Sequence, residues 1–193
     1  MTMRCVRSLV VVGLSCWMLN GLSSTAQAVV RVLPDAPLSI DAVSKPGGER
    51  ATADPLVREV LDAFERAESG VQQQDLEALM QLYAPAFNYH GLHITDVRRI
   101  WTEMFEHYRA MSSTHLFSNI VIVREGNQLR AEVTCTGGLY GADRKTGSKI
   151  TLDSWFEEVH YLVKDGSCWR LMGNRGDAPS FTPASSAPHH PLF

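Results

Sequence analysis

Three stretches in the first half of the chain repeat apolar residues every three or four positions, the spacing of a helix with one buried face. Asp54 is a suitable N-cap for the first helix because its side chain can accept a backbone hydrogen bond, and Pro55 suits the first helical position. Asp75 and Thr95 are the expected caps of the second and third helices, and Pro85 stops the second. The apolar positions are, in order, Leu56, Val57, Val60, Leu61, Phe64; Leu76, Leu79, Met80, Tyr83; and Val97, Ile100, Trp101, Met104, Phe105, Tyr108.

Further along the chain the period changes to two, which is typical of half-buried strands. A short strand is expected before the third helix, and four longer strands follow it, with turns at Gly126 and Asp165-Gly166. Their predicted ranges are 87–90, 115–124, 128–138, 149–164 and 167–175. Each group has one apolar face to bury, so the order predicts an α+β fold in which three N-terminal helices pack on a curved antiparallel sheet.

Two segments carry a resemblance to a known family. Residues 82–87 (LYAPAF) and 164–171 (KDGSCWRL), together with the long third helix, resemble the nuclear-transport-factor-2-like superfamily, which includes SnoaL-like polyketide cyclases and ketosteroid isomerases. The resemblance covers about residues 54–176. It implies a cone whose sheet and helices enclose a pocket, and frequent dimers packed through the sheet. Members include enzymes, binders and assembly modules, so the resemblance predicts a fold and leaves the reaction open.

The residues depart from the best-known chemistry of that superfamily. Ketosteroid isomerases use an Asp base with a Tyr and a protonated carboxylic acid as donors. Here the apolar stripe of the first helix has no Tyr, and the short strand offers Asn88, Tyr89 and His90 but no carboxylate. An isomerase of that mechanism is therefore not expected.

The N-terminal residues predict export. Arg4 and Arg7 precede an apolar run, 9–22, and Ala26-Gln27-Ala28 then matches a signal-peptidase site, so we place a signal peptide at 1–28 and the protein in the periplasm or secreted. A lipoprotein anchored at Cys16 is the less favoured alternative. No other run is long enough to span a bilayer, so the mature chain should have no transmembrane segment.

Composition then sets the domain limits. The 193 residues predict one domain, and a net charge of -3 without a basic patch argues against nucleic acid as a partner. Pro- and Gly-rich residues 29–53 are expected to be a flexible linker, residues 54–176 the folded domain, and residues 177–193 a disordered tail.

The strand predicted at 149–164 supplies the candidate catalytic residues. If Asp165-Gly166 is a two-residue turn, the strand face that carries Phe156, Glu158 and His160 joins the apolar face of the last strand. Glu158 could then orient His160, and the pair could act as general acid or base, in the manner of an isomerase, cyclase or hydratase. The open alternatives are a core histidine satisfied by Glu158, or a bulge that turns both side chains outward.

Other residues are expected around the pocket. No cofactor is predicted, and His90 with His93 is too sparse a set for a metal site, which needs three or four ligands. His93 and Tyr89 could lie at the mouth. The predicted ligand-binding residues are Tyr89, His90, Trp101, Phe156, Trp169 and Arg175.

The opposite parity of the same strand carries Trp155, Val159, Tyr161 and Val163, a large apolar set for a face in water. It predicts a homodimer through the outer sheet face, unless a bulge exchanges the two sets. Two hypotheses follow: a protein that binds a small apolar molecule in its pocket, or a non-catalytic dimeric interaction module of the cell envelope. Cys135 and Cys168 fall on strands separated by a third, too far apart for a disulfide, so we predict two free thiols.

Overall fold

The computed structural model describes residues 29–45, 52–89 and 91–173. Three helices and nine strands make up this part of the chain. In order they are β1 (Val29–Val32), β2 (Leu38–Ile40), β3 (Val43–Lys45), α1 (Pro55–Gln73), α2 (Leu76–Met80), β4 (Tyr83–Tyr89), β5 (Leu92–His93), α3 (Ile94–His107), β6 (Tyr108–Glu125), β7 (Gln128–Asp143), β8 (Lys149–Asp165) and β9 (Cys168–Gly173). The predicted α+β class is confirmed.

The predicted four-strand meander is also present, because β6, β7, β8 and β9 pair antiparallel in that order. The sheet is mixed rather than purely antiparallel. Its order is β3-β2-β6-β7-β8-β9-β4-β5, and β1 pairs with β6 beside β2. The β1–β6, β2–β6 and β4–β9 pairs are parallel. Both edges of the meander are therefore extended by strands from the N-terminal half of the chain.

The segment 29–45, which we expected to belong to a flexible linker, forms three strands. Ala36 and Leu38 are buried at its centre, and the Asp41 carboxylate accepts a 2.8 Å hydrogen bond from the backbone N–H of Arg124. Two prolines interrupt the apolar residues, so the strands are too short to show a period. The predicted signal peptide, the Cys16 alternative and the predicted tail lie outside the described residues.

The helix caps account for where the helices start. Asp54 accepts from the backbone N–H of Leu56 at 3.0 Å, and Asp75 accepts from that of Ala78 at 3.0 Å, as predicted. Thr95 is not the third cap. α3 starts at Ile94, and the Asp96 carboxylate reaches back to the backbone N–H of His93 at 2.9 Å. A carboxylate at the third helical position thus fixes the start of α3.

The core lies between the helices and one face of the sheet. Val57, Val60, Leu61 and Phe64 of α1 are buried against this face, as their spacing predicted. α3 contributes Val97 and Trp101. We call this helix-covered face of the sheet the inner face. None of the helices in the described ranges is long and apolar enough to cross a membrane.

Candidate functional site

A β-bulge in β8 decides which of its side chains reach the interior. Cys135 of β7 pairs with Glu158, whereas Gly137 pairs with Trp155, so two residues of β8, Phe156 and Glu157, oppose the single residue Thr136 of β7. Glu157 has a φ of 51°, the left-handed conformation that a bulge tolerates. The bulge reverses the alternation, and both Trp155 and His160 are therefore buried on the inner face.

The absence of a side chain at Gly137 makes room for the Trp155 indole. A Cβ at this position would clash with the carbonyl oxygen of Thr114 and would lie 2.5 Å from the Trp155 indole. Without that Cβ, the indole packs against β7 and its Nε1 donates to the Cys135 Sγ at 3.1 Å. Its ring centroid is 5.0 Å from that of His115 on β6. One glycine thus lets the indole bridge three strands.

Helix α1 brings a carboxyl group to the same region. Glu68 lies one turn beyond Phe64, and its Oε1 is 2.6 Å from the Nδ1 of His115. Both side chains are almost completely buried, at 1% and 0% exposure. The rings of Phe64 and Phe117 pack on His115, with centroids 5.2 and 6.2 Å away. The pair is therefore enclosed by aromatic side chains.

His160 extends the cluster along β8. Its Nε2 is 3.2 Å from the Cys135 Sγ, and its ring is 6.3 Å from that of Phe64. Because the sulfur accepts from Trp155, the thiol hydrogen can be donated to His160. We call these five side chains the interior row: Glu68, His115, Cys135, Trp155 and His160.

Burial keeps the interior row uncharged. It raises the pKa of Glu68 to about 8, and the charge of Glu65 adds to the rise. It lowers the pKa of His115 to about 3. For His160 burial, and secondarily the neighbouring His115, lowers the pKa to about 3. Near pH 7 the site therefore presents a neutral carboxylic acid and two neutral imidazoles.

The Cys135 thiol is also neutral, because burial raises its pKa to about 12. A thiol protonated at every physiological pH is a poor nucleophile, so the row has hydrogen-bonding rather than nucleophilic character.

The inner face continues to Glu158. The Tyr89 hydroxyl donates to its Oε1 at 3.0 Å. Burial, with Glu158 second, raises the pKa of Tyr89 above its ordinary value. The charge of Asp153 also acts on Tyr89, which places these three side chains in one neighbourhood.

A cleft of about 380 Å³ opens beside them, between the end of α3, the start of β6 and β8. We call it the entrance cleft. Asp153 lines it two positions before Trp155, so its wall leads to the interior row. The other lining residues are Ile100, Glu103, Met104, His107, Tyr108 and Leu152.

The predicted catalytic pair is only partly reproduced. His160 and Glu158 both belong to the inner face, but His160 contacts Cys135 and Glu158 contacts Tyr89. Phe156 is 79% exposed, so its assignment to the inner face is wrong. The bulge turns it outward.

The turn after β8 comprises Gly166 and Ser167, one residue later than predicted, and it pairs Leu162 with Leu171. The residue of β9 that pairs with Leu162 is therefore two positions beyond the predicted one, Trp169. Because side chains alternate between the two faces of a strand, a shift of two positions leaves each side chain on its predicted face of the sheet.

The predicted ligand-binding residues are spread over different places. Trp101 is a core residue whose Nε1 donates to the Tyr83 hydroxyl at 2.9 Å. Trp169 is buried and lines a separate cleft of about 360 Å³ between α1, α2 and β9. Only Tyr89 lies near the entrance cleft. His90 and Arg175 lie outside the described residues.

The sequence reading missed four members of the interior row. Glu68 carried a visible signal, since a charged residue one turn beyond Phe64 interrupts the apolar stripe of α1. Its burial requires a polar partner, and His115 opens the predicted strand at 115–124. Trp155 was assigned to the outer face, and Cys135 was treated only as a disulfide candidate. The two thiols are free, as predicted.

No family model matches this chain, and no curated protein matches it. Similar solved structures include Bd1075 of Bdellovibrio bacteriovorus, with 14% identity and a TM-score of 0.45 over 68% of this chain and 43% of that one. A ketosteroid isomerase-like protein from Erwinia carotovora atroseptica has 13% identity and a TM-score of 0.46, over 62% and 93% of the two chains. A candidate dehydratase of the nuclear-transport-factor-2-like family from Streptomyces avermitilis has 14% identity and a TM-score of 0.41. The match covers 61% of this chain and 92% of that one.

The chain spans less than half the length of Bd1075. At these identities and TM-scores the similarity concerns the general fold and extends to no site residue or activity.

Among the described side chains, no three or more His, Cys, Asp or Glu residues are grouped to hold a metal ion.

Proposed function

We propose that the domain binds a small, uncharged, largely apolar molecule between its helices and sheet. The observation that carries the proposal is the interior row. Glu68, His115 and His160 are the buried acidic and histidine side chains among the described residues, and all three meet in one place. Holding the Glu68 carboxyl protonated at pH 7, well above its ordinary pKa of 4.5, costs about 3 kcal/mol. Apolar side chains of similar volume would avoid that cost, so a role beyond packing is indicated.

The character of the row indicates the class of ligand. A neutral carboxylic acid, two neutral imidazoles and a thiol can donate and accept hydrogen bonds, yet they supply no counter-charge. A charged ligand would lose its hydration without compensation. The aromatic walls favour an apolar body, and one carbonyl or hydroxyl group would satisfy the polar atoms.

The entrance cleft provides the route. Its lining includes the apolar side chains of Ile100, Met104 and Leu152, and its lining residue Asp153 stands two positions before Trp155 in β8. A ligand that enters there meets the Trp155 indole before His115. Side-chain motion of Trp155 then admits the ligand to the row.

The cellular place is part of the same proposal. The signal-peptide pattern at 1–28 supports export, so the ligand would be encountered in the periplasm or outside the cell. Cys135 and Cys168, the two cysteines of the described residues, are not joined by a disulfide, and the burial of Cys135 is compatible with a free thiol in an oxidising compartment.

A second candidate function is a dimeric interaction module. Phe156 is 79% exposed and Val159 36% exposed on the outer face of the sheet. A groove of about 70 Å³ on that face has a mixed lining. It combines Val121, Val123, Tyr161 and Met172 with the charged side chains of Glu125, Arg130 and Glu132. These features support a homodimer through the outer face, as the sequence suggested, and such a dimer is compatible with ligand binding inside.

Mass spectrometry of the mature chain, residues 29–193, tests the ligand proposal. The protein is purified without organic solvent, and small molecules released by denaturation are compared between the wild type and His160→Ala. Lys149→Ala, at an exposed position of the same strand outside the entrance cleft, serves as the control for the substitution itself. We expect a neutral, largely apolar molecule in the wild type and in the control, and a reduced amount in His160→Ala. Equal yields in all three, or no bound molecule and no stabilisation by an apolar compound library, would refute the proposal.

A further inference from the structure

The cleft between α1, α2 and β9 is separate from the site described above. It has a volume of about 360 Å³, and it shares no lining residue with the interior row or the entrance cleft. We call it the helix-pair cleft. Its volume lies at the lower end of the range for pockets that hold small organic ligands, so it has room for a molecule of one or two rings.

Small residues of α1 make room for the helix-pair cleft. Ala63, Ala67 and Gly70 are spaced four and three positions apart, so they lie on one face of α1, and all three are buried. A Cβ at Gly70 would lie 3.0 Å from the backbone nitrogen of Leu79, so α1 and α2 approach each other closely at this point. The contact at Gly70 thus fixes α2 beside α1, and the two alanines leave space next to it.

The remaining walls come from β9 and from the residues that follow α2. The backbone N–H of Leu171 donates to the Leu82 carbonyl at 2.6 Å, which joins β9 to the end of α2. Trp169 is buried in this wall, and its Nε1 donates to the Glu59 carboxylate at 3.3 Å. Because the polar atom of the indole already has a partner, Trp169 offers the cleft only apolar surface.

The polar side chains of the lining differ in whether they have partners. Gln73 donates to the Ser69 hydroxyl at 2.7 Å, and the Asp75 carboxylate accepts from the backbone N–H of Ala78 at 3.0 Å. The Arg66 guanidinium, in contrast, has no hydrogen bond or ion pair with any residue of the described ranges. Arg66 is therefore the lining cation that is available to a ligand.

The ion pairs of α1 explain why Arg66 is left without a partner. Asp62 lies one turn before Arg66, at the spacing that favours an ion pair on a helix. Its carboxylate is instead 2.6 Å from the guanidinium of Arg58, which also pairs with Glu65 at 2.5 Å. Arg58 thus uses both acidic neighbours, and the positive charge of Arg66 stays uncompensated at the edge of an apolar cleft.

We propose that the helix-pair cleft binds a small molecule with a flat apolar body and a single carboxylate. The carboxylate pairs with Arg66, whose planar guanidinium can donate to both oxygens at once. The apolar body lies against Ala63, Ala67 and Trp169. The charge of Asp75 disfavours a second negative charge in the cleft, so a monocarboxylate is favoured over a phosphate ester. This site uses no member of the interior row, so it does not depend on the proposed function.

Cys168 provides a reporter of occupancy, because its free, partly exposed thiol lines the same cleft, whereas Cys135 is buried. A ligand in the cleft covers the Cys168 thiol and slows its reaction with 4,4′-dithiodipyridine, a neutral thiol reagent. The labelled residue is identified by mass spectrometry of peptides. The three probes share one ring system and differ in charge: 2-naphthoate, the neutral 2-naphthamide and the 2-naphthylmethylammonium cation.

In the mature wild type, 2-naphthoate should protect Cys168 at a concentration roughly tenfold lower than 2-naphthamide, because only the carboxylate makes charge-assisted hydrogen bonds with Arg66. The cation should protect least. Arg66→Gln should raise the half-protecting concentration of 2-naphthoate about tenfold and leave that of 2-naphthamide unchanged.

Two further variants test the location of the site. Arg124→Gln removes one positive charge from an exposed position of β6 outside the cleft and should match the wild type. Ala78→Phe adds a ring at an exposed lining position and should weaken protection by 2-naphthoate and 2-naphthamide alike.

The wild type alone can overturn the proposal, even if no variant folds. Absence of protection by all three probes would mean that the cleft is not a ligand site. Equal protection by 2-naphthoate and 2-naphthamide, or strongest protection by the cation, would mean that the cleft does not select a carboxylate. An Arg66→Gln variant that keeps the wild-type preference for 2-naphthoate would also contradict the role of Arg66.

Discussion

The interior row predicts an unusual dependence of stability on pH. His115 and His160 titrate at about pH 3 in the folded state and at 6.5 in the unfolded chain. Their contribution to stability is therefore complete above pH 6.5 and is lost as the pH falls toward 3. Glu68 titrates at about 8 when folded and at 4.5 when unfolded. Its contribution is complete below pH 4.5 and is lost as the pH rises toward 8.

The combined slopes place maximum stability near pH 6.5. Each group changes the free energy of unfolding by about 1.4 kcal/mol per pH unit within its window. Between pH 6.5 and 8 only Glu68 contributes, so about 2 kcal/mol is lost. Between pH 6.5 and 4.5 the two histidines outweigh Glu68 by one proton, so about 2.7 kcal/mol is lost on acidification.

Urea unfolding followed by circular dichroism at pH 5, 6.5 and 8 measures these differences. Glu68→Gln should abolish the loss between pH 6.5 and 8, because a neutral amide cannot ionise. Glu59→Gln, which alters a partly exposed carboxylate of the same helix that pairs with Lys164, should keep it. A wild type that grows more stable from pH 6.5 to 8, or a Glu68→Gln variant with the wild-type alkaline loss, would show that Glu68 is not held protonated.

Three further predictions concern packing and reactivity. Gly137→Ala should destabilise the fold by about 1–3 kcal/mol, measured by urea unfolding, because the added methyl meets the Trp155 indole and a neighbouring backbone carbonyl; an unchanged midpoint would contradict the close approach. Leu38→Ala should cost about 2–5 kcal/mol, a loss that a flexible linker would not show. In the native protein Ellman's reagent should label Cys168 and leave Cys135 unmodified, and equal labelling rates would indicate that Cys135 is accessible.

The fold was predictable wherever local chemistry and periodicity agree. Asp54 and Asp75 cap their helices because a short acidic side chain before an apolar stripe has one good hydrogen bond to make. The meander was equally visible, since its strands are long and alternate. The strands at 29–45 could not be predicted, because a strand of three or four residues is too short to show an alternating pattern. The pairing of β1 and β2 with β6 is also a long-range contact, which leaves no local signal in the sequence.

The site was less predictable because it depends on one extra residue in β8. No local signal distinguishes Phe156 from Trp155, and the bulge places the first in solvent and the second in the core. His160 was assigned to the correct face because it lies beyond the bulge. The partner of His115 comes from α1, 47 positions away, and only the packing of helix on sheet brings the two together.

The β-bulge in β8 also limits which sequence changes this domain can accept during evolution. Substitutions at Phe156 or Val159 alter a surface, and substitutions at Trp155 or His160 alter the interior, so the two can vary independently. Deletion of one residue of the bulge, between Trp155 and His160, would alter the surface and the interior together. It would place the Trp155 indole in water and would move every side chain on one side of the deletion to the opposite face of the sheet. The length of this strand is thus a stricter constraint on the protein than the identity of most residues within it.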